Sequence, residues 1–456
     1  MEHGKTATLR SGRAAWLVLF SVAVLASRLP LLGPGYGSDD DAWRNAVAAV
    51  RMRELGRYVP SRVPGFPVFE RITAALVPWG WRATNAASIV AGLAAALLFF
   101  LVAERLRVRS PRWLALAFAF VGGMWVATAQ TMDYAFGIAL LLGTYLALLA
   151  GRHLGAGCLL ALAAGCRVSN GALLASAALF LLLERRSVRA WAAFLGSFLV
   201  TALVVFVPVA LSPEIGNLRG HAAKHISRAH VTAHTLVPVL RQALVFSFGK
   251  AGTVVLALAL VASLLVALRS RPAMREPVRN APSTLAFEAS AAILIGVAFL
   301  LVPYEHTYLL PALPFVLLLA ARALPRPWIA ALAIVFAAEC LVVPVLDRHR
   351  LAPGRIFLEL GQRRADMAET RELAALRPDP ATVYVVGRFR VHRLMLLDPG
   401  LARFAPAWVP FQGPGLALLA PGRRIAYAAT LTPQQTDSLA KEGYRIVRWP
   451  PAEAGP

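Results

Sequence analysis

Charged residues are scarce in this chain: they make up 16% of its 456 residues, while hydrophobic residues make up 58% and the mean hydropathy is +0.61. In an average soluble domain about a quarter of the residues are charged, so this composition argues against a soluble protein. Apolar runs of about 18 residues or more recur along most of the sequence, and runs of that length are typical of membrane-spanning helices. The sequence therefore predicts an α-helical, polytopic membrane protein.

Acidic residues are also few, 24 against 47 lysines and arginines, and the net charge of +23 at first suggests a nucleic-acid partner. Much of the excess is arginine in short loops between apolar runs, where positive charge fixes the orientation of a membrane protein. We therefore predict no nucleic-acid partner. The three cysteines lie in apolar segments, so no disulfide framework is expected. The sequence also lacks a glycine-rich phosphate-binding loop, a CxxC pair, a nucleophile elbow and a long-period repeat, which argues against the classes that these motifs mark.

Hydropathy predicts about eleven spans. They are 14–33, 83–103, 113–130, 134–150, 154–166, 170–184, 190–211, 251–268, 284–302, 307–323 and 328–346. The positive-inside rule assigns the arginine-rich loops and the N-terminus to the cytoplasm. These loops are 105–112, 151–153, 184–189, 268–279 and 322–327. Segment 154–184 then begins and ends inside, so it is expected to be a re-entrant pair that turns at 166–170.

The remaining loops are expected on the outer face of a bacterial plasma membrane. They are 34–82, 131–133, 166–170, 212–250, 303–307 and everything after about Asp347. We predict two domains, a transmembrane domain at 1–346 and a small extracytoplasmic α/β domain at 347–456. In the tail, the pattern predicts helices near 355–376 and after Thr432, and strands at 382–387, 424–429 and 444–449.

Three consecutive aspartates, Asp39, Asp40 and Asp41, follow the first apolar run and precede an amphipathic helical pattern. One interpretation is helix capping, because Asp is a good N-cap and the helix dipole favours negative charge there. Capping uses one or two carboxylates, however, and three clustered ones repel one another. The triplet is therefore also a candidate for catalysis or for binding a divalent cation.

The next segment, YVPSRVPGFPVFE, combines prolines, glycine and large aromatic residues, which predicts a rigid, non-helical loop that packs onto the spans. Arg62 is a candidate phosphate ligand because its planar guanidinium suits that anion, and Glu70 is a candidate supporting residue. The alternative is a structural turn with Arg62 in a salt bridge. Tyr58 and Phe66 are candidate pocket residues.

Two further ionisable residues lie at predicted turns between spans. Asp133 either caps the following helix or faces the same outer cavity as the aspartate triplet. Arg167 lies at the turn of the re-entrant pair, where an arginine is costly unless it meets an anion or a water-filled cleft.

The segment 212–250 is basic and rich in histidine. Lys224, His225 and Arg228 are candidate contacts for a lipid phosphate; the alternatives are generic surface charge, or metal binding by histidines four residues apart. Between two late spans, Tyr304, Glu305 and His306 are candidate pocket residues, although interfacial aromatic residues are also common as ordinary membrane-belt residues.

Together these motifs resemble the GT-C superfamily of membrane glycosyltransferases. The run Asp40, Asp41, Ala42, Trp43 is similar to the acidic motif followed by an aromatic residue in that family's first outer loop. SRVPGFPVFE resembles a stretch of the protein-mannosyltransferase-like and ArnT-like branches. Asp133 matches a second acidic position, and PYEHTYLLPALP is similar to a late proline-containing span. The resemblance covers residues 14–346 and, in general plan, the outward tail, in which no acceptor-binding motif is found.

The resemblance implies an inverting enzyme that transfers a sugar from a polyprenyl-phosphate donor to an acceptor hydroxyl of a lipid, glycan or protein on the outer face. It implies that an aspartate of the triplet or Asp133 is catalytic, and it leaves open which; we place Asp40 first, as base or as ligand of Mg²⁺ or Mn²⁺. Arg62, Arg167 and the basic segment would bind the donor phosphate, with Trp43 in the substrate pocket. Two alternatives are a transporter or flippase of lipid-linked or hydrophilic solutes, and a structural protein of envelope assembly.

Overall fold

Helices dominate the computed structural model, which describes residues 2–215, 233–269, 281–301, 306–345, 350–375, 381–386, 392, 393, 396, 416–420, 423–426 and 433–449. In chain order the helices up to the tail are α1 Glu2–Arg28, α2 Asp40–Leu55, α3 Pro67–Leu76, α4 Gly80–Arg105, α5 Pro111–Phe120, α6 Gly122–Ala127, α7 Tyr134–Leu149, α8 His153–Cys166, α9 Leu173–Leu183, α10 Val188–Ala210, α11 Ala233–Phe248, α12 Lys250–Arg269, α13 Pro282–Leu301, α14 Leu313–Ala323 and α15 Arg326–Leu341. Short 3₁₀ turns lie at Leu29–Leu32, Val77–Trp79, Val168–Ala172 and His306–Ala312.

Each predicted span overlaps helix, although Val342–Val345 at the end of the predicted span 328–346 form a β-strand. The chain is a multi-pass helical membrane protein. Within the described residues, five helical stretches are long and apolar enough to cross a membrane, or six if the pair α11–α12, bent by 103°, counts as one span. The others are shorter: the predicted span 113–130 is divided into α5 and α6, and α7, α8 and α9 each have fewer than 18 residues. The number eleven therefore stays a prediction.

Helices α2 and α3 lie between α1 and α4, and α2 carries the acidic motif. Helix α2 begins after Asp39 and ends at Gly56, whose φ of 64° is the left-handed conformation that glycine adopts without strain. Helix α3 begins at Pro67, because proline at the first helical position loses no hydrogen bond. The prediction of a non-helical segment was therefore wrong for its last residues and holds for the turn before Pro67.

Helix α8 packs between α7 and α10. The approach to α10 is close, since a Cβ at Gly157 would clash with the Phe194 carbonyl and the Ser197 hydroxyl. Farther along, Gly165 lies against Val205, so the two helices run parallel. Helix α8 ends at Cys166, the chain becomes extended at Arg167, and α9 returns antiparallel. The predicted turn at 166–170 therefore separates two helices.

The bundle has two distinct ends. Asp133, Arg167 and helix α2 meet at one end, which we call the acidic end. At the other end, Glu184 accepts a hydrogen bond from Ser283 at 2.5 Å, and Arg13 pairs with Glu104 at 2.6 Å. This second end carries the arginine-rich loops 105–112, 151–153, 184–189 and 322–327, and we call it the basic end.

The tail contains the helices and strands that its pattern predicts, plus three further strands. The elements are β1 Val342–Val345, β2 Arg350–Pro353, α16 Arg355–Ala374, β3 Thr382–Val386, β4 Leu416–Ala420, β5 Arg423–Ala426, α17 Pro433–Lys441 and β6 Arg445–Trp449. Strands β1 and β2 form an antiparallel pair on either side of the predicted domain boundary, and the others form a sheet of order β4-β5-β3-β6. Strand β3 is parallel to both β5 and β6. Helix α16 packs against α15 and α6, which brings it to the acidic end.

Candidate active site

The three adjacent aspartates make three different sets of contacts. Asp39 is the N-cap of α2, and its carboxylate accepts from the Asp41 backbone N–H at 2.9 Å. Asp40 is 6% exposed and lies between two cationic or titratable partners, Arg44 at 3.0 Å and His392 at 3.0 Å. The Asp41 side chain is 28% exposed and pairs with Arg44 at 3.3 Å and with Arg62 at 3.4 Å. Asp39 therefore performs the capping, which leaves the other two carboxylates for the site.

Asp133 is fully buried and joins two arginines that come from different parts of the chain. Its Oδ1 accepts from Arg62 at 2.7 Å and its Oδ2 accepts from Arg167 at 2.8 Å. Asp133 occupies the position before α7, yet its side chain makes no capping hydrogen bond. Asp133 therefore does not cap α7, and Arg62 connects it to Asp41 of the aspartate triplet.

Aromatic rings enclose the two guanidinium groups. Arg62 lies 4.1 Å from the ring centroid of Phe66. Arg167 lies 4.0 Å from the ring centroid of Tyr134 and 4.6 Å from that of Tyr308. Within the described residues, Arg167 donates side-chain hydrogen bonds through Nε alone, so Nη1 and Nη2 remain for a ligand. Planar donors of this kind suit a phosphate group.

A buried carboxylate holds the loop that carries Arg62. Glu70 accepts from the Ser61 backbone N–H at 2.6 Å, from the Phe66 backbone N–H at 2.9 Å, and from the hydroxyls of Ser61 and Tyr58. These four donors come from both halves of the 58–66 loop, so Glu70 fixes its shape. Tyr58, a candidate pocket residue, is buried at the base of this loop and faces Glu70.

Neighbouring groups of opposite charge keep Asp41 and Arg62 ionised. Burial raises the pKa of Asp41, but Arg62 and Arg44 lower it by more, so this pKa lies below its ordinary value of 3.8. Burial lowers the pKa of Arg62, but Asp41 and Asp133 raise it by more. Both groups are therefore charged at neutral pH, and carboxylates alternate with guanidinium groups along the row Asp41, Arg62, Asp133, Arg167.

Other predicted site residues lie elsewhere or outside the described residues. Trp43 is buried and donates to the Gly37 carbonyl at 2.8 Å, so it packs beneath the acidic loop. His306 lies against Phe246 and Phe299, with ring centroids 5.8 and 6.3 Å away. Lys224, His225, Arg228, Tyr304 and Glu305 lie outside the described residues.

Several residues that contribute to the site were not predicted from the sequence. Arg44 follows Asp40 by four residues and Asp41 by three, which places it on their helix face, and this spacing was a usable signal. Asn45 accepts from Arg62 at 3.2 Å and donates to the Thr131 carbonyl at 3.4 Å, joining α2 to the segment before α7. His392 lies in the tail, and no local pattern marks it.

The described residues contain no group of three or more His, Cys, Asp or Glu side chains that could hold a metal ion. Asp40, the proposed ligand of a divalent cation, faces Arg44 and His392 instead. Because these partners supply positive charge or hydrogen-bond donors, the geometry around Asp40 does not fit a cation site.

The sequence matches no family model and no curated protein. Among solved structures, the chain is similar to ArnT from Cupriavidus metallidurans bound to undecaprenyl phosphate, with 16% identity, a TM-score of 0.49, and coverage of 85% of this chain and 69% of that one. It is also similar to ArnT from the same organism in the apo state, with 18% identity, a TM-score of 0.47, and coverage of 86% and 73%.

Proposed function

We propose that this protein is a membrane glycosyltransferase that transfers a sugar from a polyprenyl-phosphate donor to an acceptor hydroxyl. The observation that carries the proposal is the row of alternating charges at the acidic end. At one end of the row is the carboxylate of Asp41, which reaches solvent. At the other end is the guanidinium group of Arg167, whose terminal nitrogens remain for a ligand. The sequence motifs that resemble the GT-C superfamily contribute Asp41, Arg62 and Asp133 to this row.

Asp41 is the base that we propose, in place of Asp40. An acceptor hydroxyl must lose its proton as its oxygen attacks the anomeric carbon, and a carboxylate within hydrogen-bond reach accepts that proton. Asp41 is ionised and 28% exposed, whereas the Asp40 side chain is 4% exposed and faces Arg44 and His392. Asp40 then holds α2 in position, and Asp41 meets the acceptor.

The arginines fit the leaving group. The bond between the anomeric carbon and the phosphate oxygen breaks with its electron pair on the phosphate, which becomes more negative. Cationic donors aimed at that oxygen stabilise the transition state. Arg167 offers Nη1 and Nη2, and its pairing with Asp133 through Nε holds the guanidinium in place. Attack from the side opposite the phosphate inverts the anomeric centre.

A specific observation bears on the transporter alternative. Transporters use half-helices whose N-termini bind anionic substrates near the membrane midplane, and α11–α12 is a bent pair of this kind. Here, however, the Glu339 carboxylate accepts from the Ala251 backbone N–H at 2.8 Å, at the N-terminus of α12. Because a side chain occupies that N-terminus, the bend supports a structural role.

The test uses purified protein in lipid vesicles, radiolabelled polyprenyl-phosphate sugars and a cell-envelope extract as acceptor. We compare Asp41→Asn and Asp40→Asn with Asp437→Asn, an exposed carboxylate of α17. We expect transfer by the wild type and by the control, and a loss of about 100-fold or more in Asp41→Asn. Loss of sugar transfer in Asp40→Asn but not in Asp41→Asn would identify Asp40 as the base. Movement of the donor lipid across the vesicle membrane without sugar transfer would favour the flippase alternative.

A further inference from the structure

A cavity lies at the basic end, on the side of the bundle opposite the acidic site. It has a volume of about 580 Å³ and lies between the beginnings of α8 and α10 and the turn that follows α9. Helix α8 has 14 residues, so its first residue, His153, lies about 20 Å along the helix axis from Arg167. This cavity is therefore separate from the candidate active site.

The lining of the cavity is cationic. Three guanidinium groups, those of Arg185, Arg186 and Arg189, contribute to it, against one carboxylate, that of Glu184. Glu184 is already engaged, since it pairs with Arg186 at 3.3 Å and accepts from the Ser283 hydroxyl. The helices α8 and α10 also both begin here, and helix N-termini favour negative charge. This lining therefore favours an anion.

Two polar atoms of the lining make no hydrogen bond. Within the described part of the chain, His153 Nδ1 and Arg186 Nε are buried atoms without a hydrogen-bond partner. Buried polar atoms of a folded protein almost always have a partner, because leaving one unpaired costs free energy. Because the Arg186 side chain is 36% exposed, it can turn its Nε toward an anion with several oxygen atoms, which would give that atom a partner. The unpaired atoms are a second observation beside the cationic lining.

The surface around the cavity indicates a lipid. At its edge, Leu154 is 63% exposed and Val188 is 83% exposed. Along α10 the apolar side chains of Leu199, Val200, Leu203 and Val204 are between 63% and 71% exposed, in a stripe that continues away from the cavity. In a membrane such a surface contacts acyl chains. A ligand with a phosphate head and acyl chains would satisfy both the cavity and this stripe, whereas a free phosphate would satisfy the cavity alone.

We propose that this cavity binds the headgroup of an anionic phospholipid, with its acyl chains along the exposed face of α10. Because α8 and α9 connect the cavity to Arg167, the lipid would brace the two helices that carry that arginine. The binding site does not depend on the proposed transfer reaction.

The test measures retained lipid by native mass spectrometry of the full-length protein taken from vesicles of equal phosphatidylglycerol and phosphatidylcholine. The variant is the double substitution Arg186→Gln, Arg189→Gln. The control is Arg326→Gln, an exposed arginine at the same end that does not line the cavity. We expect the wild type and the control to retain phosphatidylglycerol over phosphatidylcholine, and the double variant to bind it about tenfold more weakly or worse.

A second measurement, of thermal unfolding, controls for misfolding of the double variant. Phosphatidylglycerol should raise the thermal midpoint of the wild type and of the control, but not of the double variant. Equal midpoints of all three proteins in pure phosphatidylcholine would show that the double variant is folded. Equal retention of the two lipids by the wild type, or unchanged retention by the double variant, overturns the proposal. Binding of inorganic phosphate that depends on the same arginines, without any preference for phosphatidylglycerol, also overturns it in favour of a soluble anion.

Discussion

His392 Nδ1 lies 3.0 Å from Asp40 Oδ1, although the two residues are 352 positions apart in the sequence. The tail thus contacts the aspartate triplet, which follows α1. The neighbouring Arg393 pairs with Asp366 of α16 at 2.8 Å and lies 5.9 Å from the ring centroid of Trp43. Asp40 is therefore held from two directions, by Arg44 on its own helix and by the tail.

From this contact we expect His392→Ala to lower sugar transfer. Removing a hydrogen bond to a buried carboxylate costs about 1.5–3 kcal/mol, and a displaced α2 would move Asp41 away from Arg62. We expect kcat to fall about tenfold. Asn places an N–H donor close to the position of Nδ1, so His392→Asn should recover most of the rate.

The control for this series is Arg448→Gln, which changes an exposed charge in β6 of the tail. Steady-state transfer at saturating donor, for the two His392 variants and this control, provides the measurement. Equal rates for His392→Ala and the wild type would show that the tail contact does not position the acidic motif.

The ion pairs of Asp41 predict a pH dependence of stability. Its pKa in the folded protein lies below the ordinary value of 3.8. A carboxyl group with a lowered pKa stabilises the fold above the unfolded-state pKa, and this contribution is lost as the pH falls through the folded-state pKa. The thermal midpoint of the wild type should therefore exceed that of Asp41→Asn by a constant amount down to about pH 5. Below about pH 4 the difference should shrink, whereas a difference that grows on acidification would contradict the assignment.

Asp133 neutralises two arginines: Arg62 also pairs with Asp41, whereas Arg167 pairs with no other carboxylate among the described residues. We expect Asp133→Asn to destabilise the protein by about 3–5 kcal/mol, because it leaves Arg62 and Arg167 as adjacent buried cations. Adding Arg167→Gln should recover part of this loss by removing one of the two charges. Thermal unfolding of wild type, single and double variants in the same detergent tests the coupling. Strictly additive effects of the two substitutions would argue against the shared ion pair.

Local sequence patterns predicted most of the helices. They could not predict which residues of the site pair with one another, because those residues lie far apart in the sequence. The aspartate cap and Gly56 mark the two ends of α2, and the apolar runs mark helices, although the run 113–130 is divided into two helices and the run 328–346 ends in β1. Loop charge also grouped Asp133, Arg62 and Arg167 at one end of the bundle. Which carboxylate meets which arginine depends on packing between segments 34 and 71 positions apart, and no local rule encodes that.

The three aspartates illustrate the same limit. The sequence indicates that capping uses one or two of the carboxylates, and the structure assigns that role to Asp39. The choice between Asp40 and Asp41 depends on His392, which belongs to a distant segment without a motif. The sequence therefore favoured Asp40 on resemblance, while the contacts of the folded chain favour Asp41.

Glu70 supports the arginine loop through a set of hydrogen bonds that glutamine cannot reproduce. Its carboxylate accepts from four donors of Tyr58, Ser61 and Phe66, whereas the amide of glutamine has one oxygen and would direct an NH₂ group toward donors. We expect Glu70→Gln to destabilise the loop by about 1–3 kcal/mol. Limited trypsin cleavage after Arg62 should then be faster than in wild type, and Glu54→Gln, an exposed residue of α2, should leave it unchanged. If cleavage after Arg62 is as slow in Glu70→Gln as in wild type, the spans alone hold the loop. Arg62 would then be positioned by Asp133 without help from Glu70.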